Sequence, residues 1–205
     1  MERRAAIGDN RTIREPSEGD RPMAIAEALM TIEEFANRPD PGYPEELVRG
    51  RIIALTLPKP RHGQVCTQAV YLRRRFLDEH DLGHVLSNDT GIITARDPDT
   101  LRGADVAYYS YVRVPKGPLS KQYLAVPPDF VVEVRSPSDR WSQVLAKVAD
   151  YLEAGVRVVV VLDPDPETAH LFHADQAVRV LTADDELTLP EMFEGFRVRV
   201  RRFFE

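Results

Sequence analysis

Pro128-Asp129-Phe130-Val131-Val132-Glu133-Val134-Arg135-Ser136-Pro137-Ser138 sets one carboxylate in the middle of a valine-rich run. β-branched residues of this kind favour a strand, and side chains along a strand alternate between its two faces. Glu133 and Arg135 therefore point one way, Val132 and Val134 the other. A polar group buried without a partner costs roughly 2–7 kcal/mol, and a lone charge costs more. Either the strand is an exposed edge carrying a Glu–Arg pair, or the carboxylate serves a purpose. Ser136-Pro137-Ser138-Asp139 breaks the strand at its carboxyl end, where open sheets tend to place their sites.

Downstream, Ser142 to Ala154 reads as a helix with Gly155 as its C′ residue. Val144, Leu145, Val148, Tyr151 and Leu152 form its apolar stripe. At ~100° per residue Lys147 lies at the flank of that stripe, able to reach toward the sheet, and Asp150 lies nearly opposite it. The plainer reading of Lys147 is a snorkelling surface lysine. The apolar run Val156 to Leu162 suits a central strand covered on both faces, and Asp163-Pro164-Asp165-Pro166 stops it. Upstream, Ala104-Asp105-Val106-Ala107-Tyr108 is a second strand with a lone carboxylate. If the two strands pair, Asp105 and Glu133 converge. Two carboxylates plus water suit Mg²⁺, which polarises a phosphodiester and lowers the pKa of an attacking water.

The flanking segments supply a framework. Thr31-Ile32-Glu33-Glu34 is a capping box opening a short helix. Residues 46–55 form a hairpin turning at Gly50. A helix over 64–79 buries Val65, Ala69, Leu72 and Phe76 and leaves Arg73-Arg74-Arg75 on and beside its opposite face. Strands follow at 84–87 and 90–94. Thr168 to Val180 is another hairpin, and 186–203 a closing segment. Residues 1–22 read as a mixed-charge flexible arm, and 23–205 as a single domain.

Composition narrows the class. The chain has 205 residues, 43% hydrophobic and 29% charged, with a net charge of −6. No apolar run reaches the ~18 residues of a membrane span, and no secretory signal opens the chain. Cys66 is the only cysteine, so no internal disulfide forms. The expected location is cytoplasmic. The acidic balance weighs against binding nucleic acid by charge alone, yet it is compatible with a local acidic site whose cation meets the phosphates. Phosphate-loop, dinucleotide and G-x-S-x-G signatures are absent. Asp163-Pro164-Asp165 reads as a turn, and His170 and His173 lack a matching cysteine cluster for zinc.

Four stretches carry a family resemblance: Glu46-Leu47-Val48-Arg49-Gly50-Arg51-Ile52, Arg61-His62-Gly63, Ala104-Asp105-Val106, and the segment from Pro128 to Ser138 continuing into Lys147, Tyr151, Gly155-Val156 and Leu162-Asp163-Pro164. In order and spacing the chain resembles the Uma-two family of restriction-type endonucleases within the PD-(D/E)XK nuclease superfamily. The resemblance implies an α/β (α+β) restriction-endonuclease-like core, a mixed β-sheet flanked by helices. It implies a metal site of Asp105, Glu133 and the Val134 carbonyl, with Glu46 as a nearby acidic contributor. Lys147 is similar to the lysine that has moved from strand to helix in this family, since Arg135 stands two after Glu133. Either Lys147 or Arg135 meets the scissile phosphate. His62 lines the same pocket, or caps its helix.

The implied cofactor is Mg²⁺, with Mn²⁺ a substitute. The implied partner is nucleic acid, DNA foremost, met by a homodimer. Two departures stand out: Ala104 replaces the proline expected before the aspartate, and Val160 or Val161 replaces an aromatic residue. The rival reading is a retired nuclease fold that binds or regulates, favoured by the acidic pI of about 5.5 and the lack of a DNA-reading appendage.

Overall fold

A computed structural model describes residues 28–205. The arm expected over residues 1–22 lies outside the described residues. The elements run α1 (Ile32–Ala36), β1 (Glu45–Val48), β2 (Arg51–Ala54), α2 (Pro60–Glu79), β3 (Gly83–Ala95), β4 (Thr100–Ser110), β5 (Phe130–Val134), α3 (Trp141–Glu153), β6 (Val158–Asp163), β7 (Thr168–Phe172), β8 (Arg179–Leu181), β9 (Glu186–Thr188) and β10 (Arg197–Arg199), followed by a 3-10 turn over Val200–Phe203.

Local chemistry explains most boundaries. The capping box forms at α1: Thr31 Oγ1 accepts from the Glu34 N–H, and Glu34 accepts from the Thr31 N–H. The β1–β2 hairpin turns on Arg49 and Gly50, both at positive φ, as a tight two-residue hairpin turn requires. A Cβ at Gly50 would sit 2.6 Å from Leu29 Cβ, so glycine is needed for space as well. α2 begins four residues earlier than the apolar spacing predicts, because Pro60 occupies the first turn, where its missing N–H is harmless. The two expected strands at 84–87 and 90–94 are one strand, β3, interrupted by an irregularity at Asn88 and Asp89, both at positive φ.

One eight-stranded mixed sheet carries the fold. Its order is β2-β1-β4-β5-β6-β7-β8, with β3 also paired to β4; β9 and β10 form a separate pair. β5 and β6 are parallel, in register from Phe130–Val158 to Val134–Leu162, and α3 makes the crossover between them. β5 is thus interior to the sheet, not an exposed edge, and all six residues of β6 are buried. One face packs on α2 and on Phe193, Phe196, Val200 and Phe203 of the closing segment. The other packs on Val144, Val148 and Tyr151 of α3. Leu145, expected in the α3 stripe, is 44% exposed.

β4 is the long strand around which the sheet divides. Leu101 pairs with Ile93 of β3 on one edge and Leu47 of β1 on the other. Val106 pairs with Ser87 of β3 and with Val132 of β5. β1 and β5 therefore share the same edge of β4, and between their contacts residues 102–105 face a fork in the sheet.

Arg73 departs most from expectation. It is not on the outer face of α2 but 4% exposed, its guanidinium carbon 4.6 Å from the ring centre of Phe130 and 4.0 Å from each of Phe193 and Phe196. Nε and Nη1 have no hydrogen-bond partner among the described residues. Burial pushes its pKa down to about 9. The π-faces offset the missing ion pair, and the long stem fills volume between α2 and the closing segment. Arg73→Met keeps most of that volume and is expected to cost less than about 1.5 kcal/mol. Arg73→Ala opens a cavity and is expected to cost ~3 kcal/mol or more. Urea unfolding of both variants decides the matter: a Met variant as damaged as the Ala variant would make the cation on the rings, not the packing, the stabilising feature.

Candidate active site

The fork leaves backbone polar groups of β4 without a strand partner, and buried side chains take them up. Gly103 N donates to Glu46 Oε1 at 3.0 Å. Gly103 O accepts from Lys147 Nζ at 2.9 Å and lies 3.0 Å from the Tyr151 hydroxyl. Glu46, on β1, is only 2% exposed and also accepts from Arg102 Nη1 at 2.8 Å. Arg102 in turn binds Asp150 of α3, so Asp150 is drawn to the sheet, not left on an outer face.

Glu133 reaches the fork from β5. Its Oε2 accepts from Lys147 Nζ at 2.8 Å and its Oε1 lies 2.8 Å from the Tyr151 hydroxyl. Lys147 Nζ is also 3.3 Å from Glu46 Oε1. It donates hydrogen bonds to Glu133 and Gly103 and is ion-paired with Glu46. One turn of α3 separates Lys147 from Tyr151, which places both on the face above Glu133.

Asp105 stands one step beyond the Val106–Val132 pair, opposite Glu133 in that register. The ladder stops there because the Asp105 side chain takes the strand's place: Oδ2 accepts from Val134 N at 2.7 Å. His62, in the first turn of α2, brings Nε2 to 3.4 Å from the same oxygen, and its Nδ1 lies 3.4 Å from Cys66 Sγ.

Electrostatics separates the two carboxylates. Burial, reinforced by Asp105, raises the Glu133 pKa to about 7 against the pull of Lys147. The hydrogen bonds from Lys147 and Tyr151 to Glu133 favour its ionised form and oppose the burial without overcoming it. Asp105 is equally buried, but His62, Lys147 and the Val134 N–H outweigh that burial and hold its pKa below the usual range. Burial lowers His62, and Asp105 more than restores it, so His62 is raised. Burial lowers Lys147 too, yet Glu133, Glu46 and Asp105 hold it firmly cationic. Two carboxylates with pKa values pushed apart beside a fixed cation are a common sign of a working site.

A cleft of about 540 Å³ opens over these groups, lined by Glu46, His62, Asp105, Glu133, Val134, Arg135 and Lys147. These seven residues, assigned to the site from the sequence, thus line one cleft. Arg135 stands apart from Asp105 and Glu133: its Nη1 donates to both oxygens of Asp163, at 2.9 and 3.2 Å, and its guanidinium lies 5.5 Å from the Trp141 ring. Asp163, read as a turn residue, is its buried counter-ion. Three contributors escaped the sequence reading. Asp89 lies in the β3 irregularity, and a Cβ on Gly103 would sit 3.2 Å from Asp89 Cβ. Its only linear signal is Asn88-Asp89, a pair tolerant of positive φ, between two β runs. Cys66 and Arg102 carry no motif; only the fold brings them in.

Residues 32–201 match the Uma2 family, described as putative restriction endonuclease. The chain belongs to this family. It is also similar to the crystal structure of a putative nuclease belonging to DUF820 from Anabaena variabilis ATCC 29413, with a TM-score of 0.75 and 19% identity over 85% of this chain and 97% of that one. At that identity the likeness concerns the fold, which is restriction-endonuclease-like. None of the curated proteins matches the chain. The Uma2 core spans every element that builds the cleft, from Glu46 on β1 to Tyr151 on α3.

Glu133 binds its proton more tightly in the folded chain than in the unfolded one. Its contribution to stability therefore falls as pH rises from about 4.5 to about 7. Lys147→Met removes the cation that limits this. In chelator-treated protein the variant is expected to lose about 3 kcal/mol at pH 8, and clearly less at pH 5, where Glu133 is neutral. Urea unfolding at the two pH values is the measurement, and equal losses would refute the coupling.

Proposed function

We propose that this Uma2 chain is a metal-dependent endonuclease that hydrolyses phosphodiester bonds, with DNA as substrate. The observation that carries the reading is the meeting of Asp105, Glu133 and Lys147 at the fork, inside a cleft that belongs to a restriction-endonuclease-like fold.

The donor set fits a hard divalent cation. Asp105 and Glu133 are each 8% exposed and present oxygen only, as magnesium and manganese prefer. Burial pushes the Glu133 pKa up to about 7, a cost that a neighbouring dication relieves. The Val134 carbonyl is a further oxygen donor at the same strand end. When bound, the ion polarises the phosphate and lowers the pKa of an attacking water.

The protein groups do the remainder. Asp105 is pinned by the Val134 N–H and His62 and so offers a fixed carboxylate. Lys147 places its ammonium beside Glu133, where it steadies negative charge growing on the phosphate oxygens. Glu46 has both oxygens engaged by Arg102, Gly103 and Lys147; its role is to position Lys147. Tyr151 holds Glu133 from the opposite side. Arg135, locked on Asp163, supplies a fixed positive charge on the cleft wall for the substrate backbone.

One observation favours the second reading, a retired fold that only binds: both oxygens of Glu133 are already taken by Lys147 and Tyr151. Nicking of supercoiled plasmid with Mg²⁺ or Mn²⁺ separates the two. Wild-type protein is expected to nick, and Asp105→Ala and Glu133→Ala to lose at least ~10²-fold in rate while keeping their near-ultraviolet circular dichroism. Nicking retained at the wild-type rate in both variants would refute the mechanism. A wild type that neither nicks nor binds Mn²⁺ would favour the retired fold.

A further inference from the structure

Beside the oxygen-rich fork lies a second donor set of different chemistry. His62 and Cys66 are four residues apart on α2 and so share one face of the helix. Their atoms Nδ1 and Sγ are 3.4 Å apart, and Asp105 Oδ2 is 3.4 Å from His62 Nε2. One ligand atom from each of the three lies within 4.8 Å of the others. Tetrahedral zinc, with bonds of about 2.0–2.3 Å, needs its ligand atoms roughly 3.3–3.6 Å apart. Only one His62 nitrogen can bind the ion, and the two 3.4 Å distances use different ring nitrogens, so the set closes from separations of up to 4.8 Å by side-chain rotation on two rigid elements. It opens on its own cavity of about 320 Å³, lined also by Asp89 and Thr67, which leaves a fourth position for water.

We propose that His62, Cys66 and Asp105 form a site for a thiophilic divalent ion, zinc in the first instance, distinct in its ligands from the magnesium position proposed at Asp105 and Glu133. Imidazole and thiolate select zinc or cobalt over magnesium, which favours oxygen. Binding forms the metal–sulfur bond as the thiol proton leaves to solvent; no oxidation is involved. Asp89 faces the same cavity and adds negative charge around the ion. Asp105 belongs to both donor sets, and the imidazole and thiolate beside it make the thiophilic ion the tighter occupant. The plainer alternative, a His62–Asp105 pair with Cys66 as a mere helix residue, predicts no metal–sulfur bond.

Cobalt reports the sulfur directly. Reduced, chelator-stripped full-length protein titrated with Co²⁺ is expected to develop a thiolate-to-cobalt charge-transfer band, which equimolar Zn²⁺ removes and excess Mg²⁺ does not. Cys66→Ala is expected to abolish the band and to weaken zinc by more than the ~10–100-fold typical of losing an outer-shell partner. His62→Gln weakens it comparably, and Glu133→Gln leaves the band in place. No band in the wild type, or a band that survives Cys66→Ala, would overturn the site. Because the readout needs no cleavage, a protein that binds cobalt through sulfur but nicks no DNA refutes the nuclease reading alone.

Discussion

β4 cannot be paired along its whole length on both edges, and the site exists because of that. β3 covers one edge from Thr100 to Ser110. On the other edge β1 touches only Leu101, and β5 begins only at Val106. The gap exposes the backbone of Gly103 and the start of Asp105 inside the protein, where unpaired peptide groups are costly. Glu46, Lys147 and Tyr151 repay Gly103, and Asp105 repays Val134. Polar side chains are thus brought to the interior by a backbone need, and the same need fixes their positions. A glycine at 103 suits the place, since Asp89 approaches it closely from β3.

The charges so gathered balance in a chain. Asp150 meets Arg102, Arg102 meets Glu46, Glu46 meets Lys147, and Lys147 meets Glu133. Each charge in this chain has a partner, as the low-dielectric interior demands. Asp105 and Asp89 are the acids left with little more than His62, and Asp89 is pushed upward by burial and by Asp105. The negative excess is therefore local to the side of the fork where Asp105 stands. That is where a cation gains most, whatever the net charge of the chain. Lys147 can act from a helix because α3 returns directly over β5, and Arg135, two residues after Glu133, is free to be consumed by Asp163.

Much of this was legible because it rests on local pattern. A lone acid in an apolar run, small residues in one and valines in the other, marked β4 and β5, the 3.6-residue stripe placed Lys147 on a flank, and Gly155 closed α3. Where the sequence misled, long-range packing overrode local rule. Arg73 reads as a surface residue from its arginine neighbours, yet three aromatic rings, two of them about 120 residues downstream, bury it. The split at Ser87/Thr90 in β3 reads as two strands because the intervening Asn88-Asp89 is turn chemistry; only continued pairing with β4 makes it one strand. Leu145 is apolar but falls past the edge of the α3 contact.

The register also decides how far the two carboxylates can differ. Asp105 and Glu133 are cross-strand neighbours, so two full charges side by side would repel in a buried setting. The structure avoids this by giving them unlike company. Asp105 receives a backbone N–H and an imidazole, donors suited to an ionised carboxylate, whereas Glu133 sits beneath a tyrosine that can accept as well as donate. Lys147 spans the difference, close enough to Glu133 to keep it from becoming permanently neutral. Removing Tyr151 or Lys147 would therefore tighten the proton on Glu133 in the same sense, since each loss takes away a donor that favours the ionised carboxylate, Lys147 the more strongly because it is an ammonium. The ionisation of Glu133 is set by α3 and that of Asp105 by α2, and the fork in β4 is what lets two helices on opposite faces of one sheet address adjacent residues.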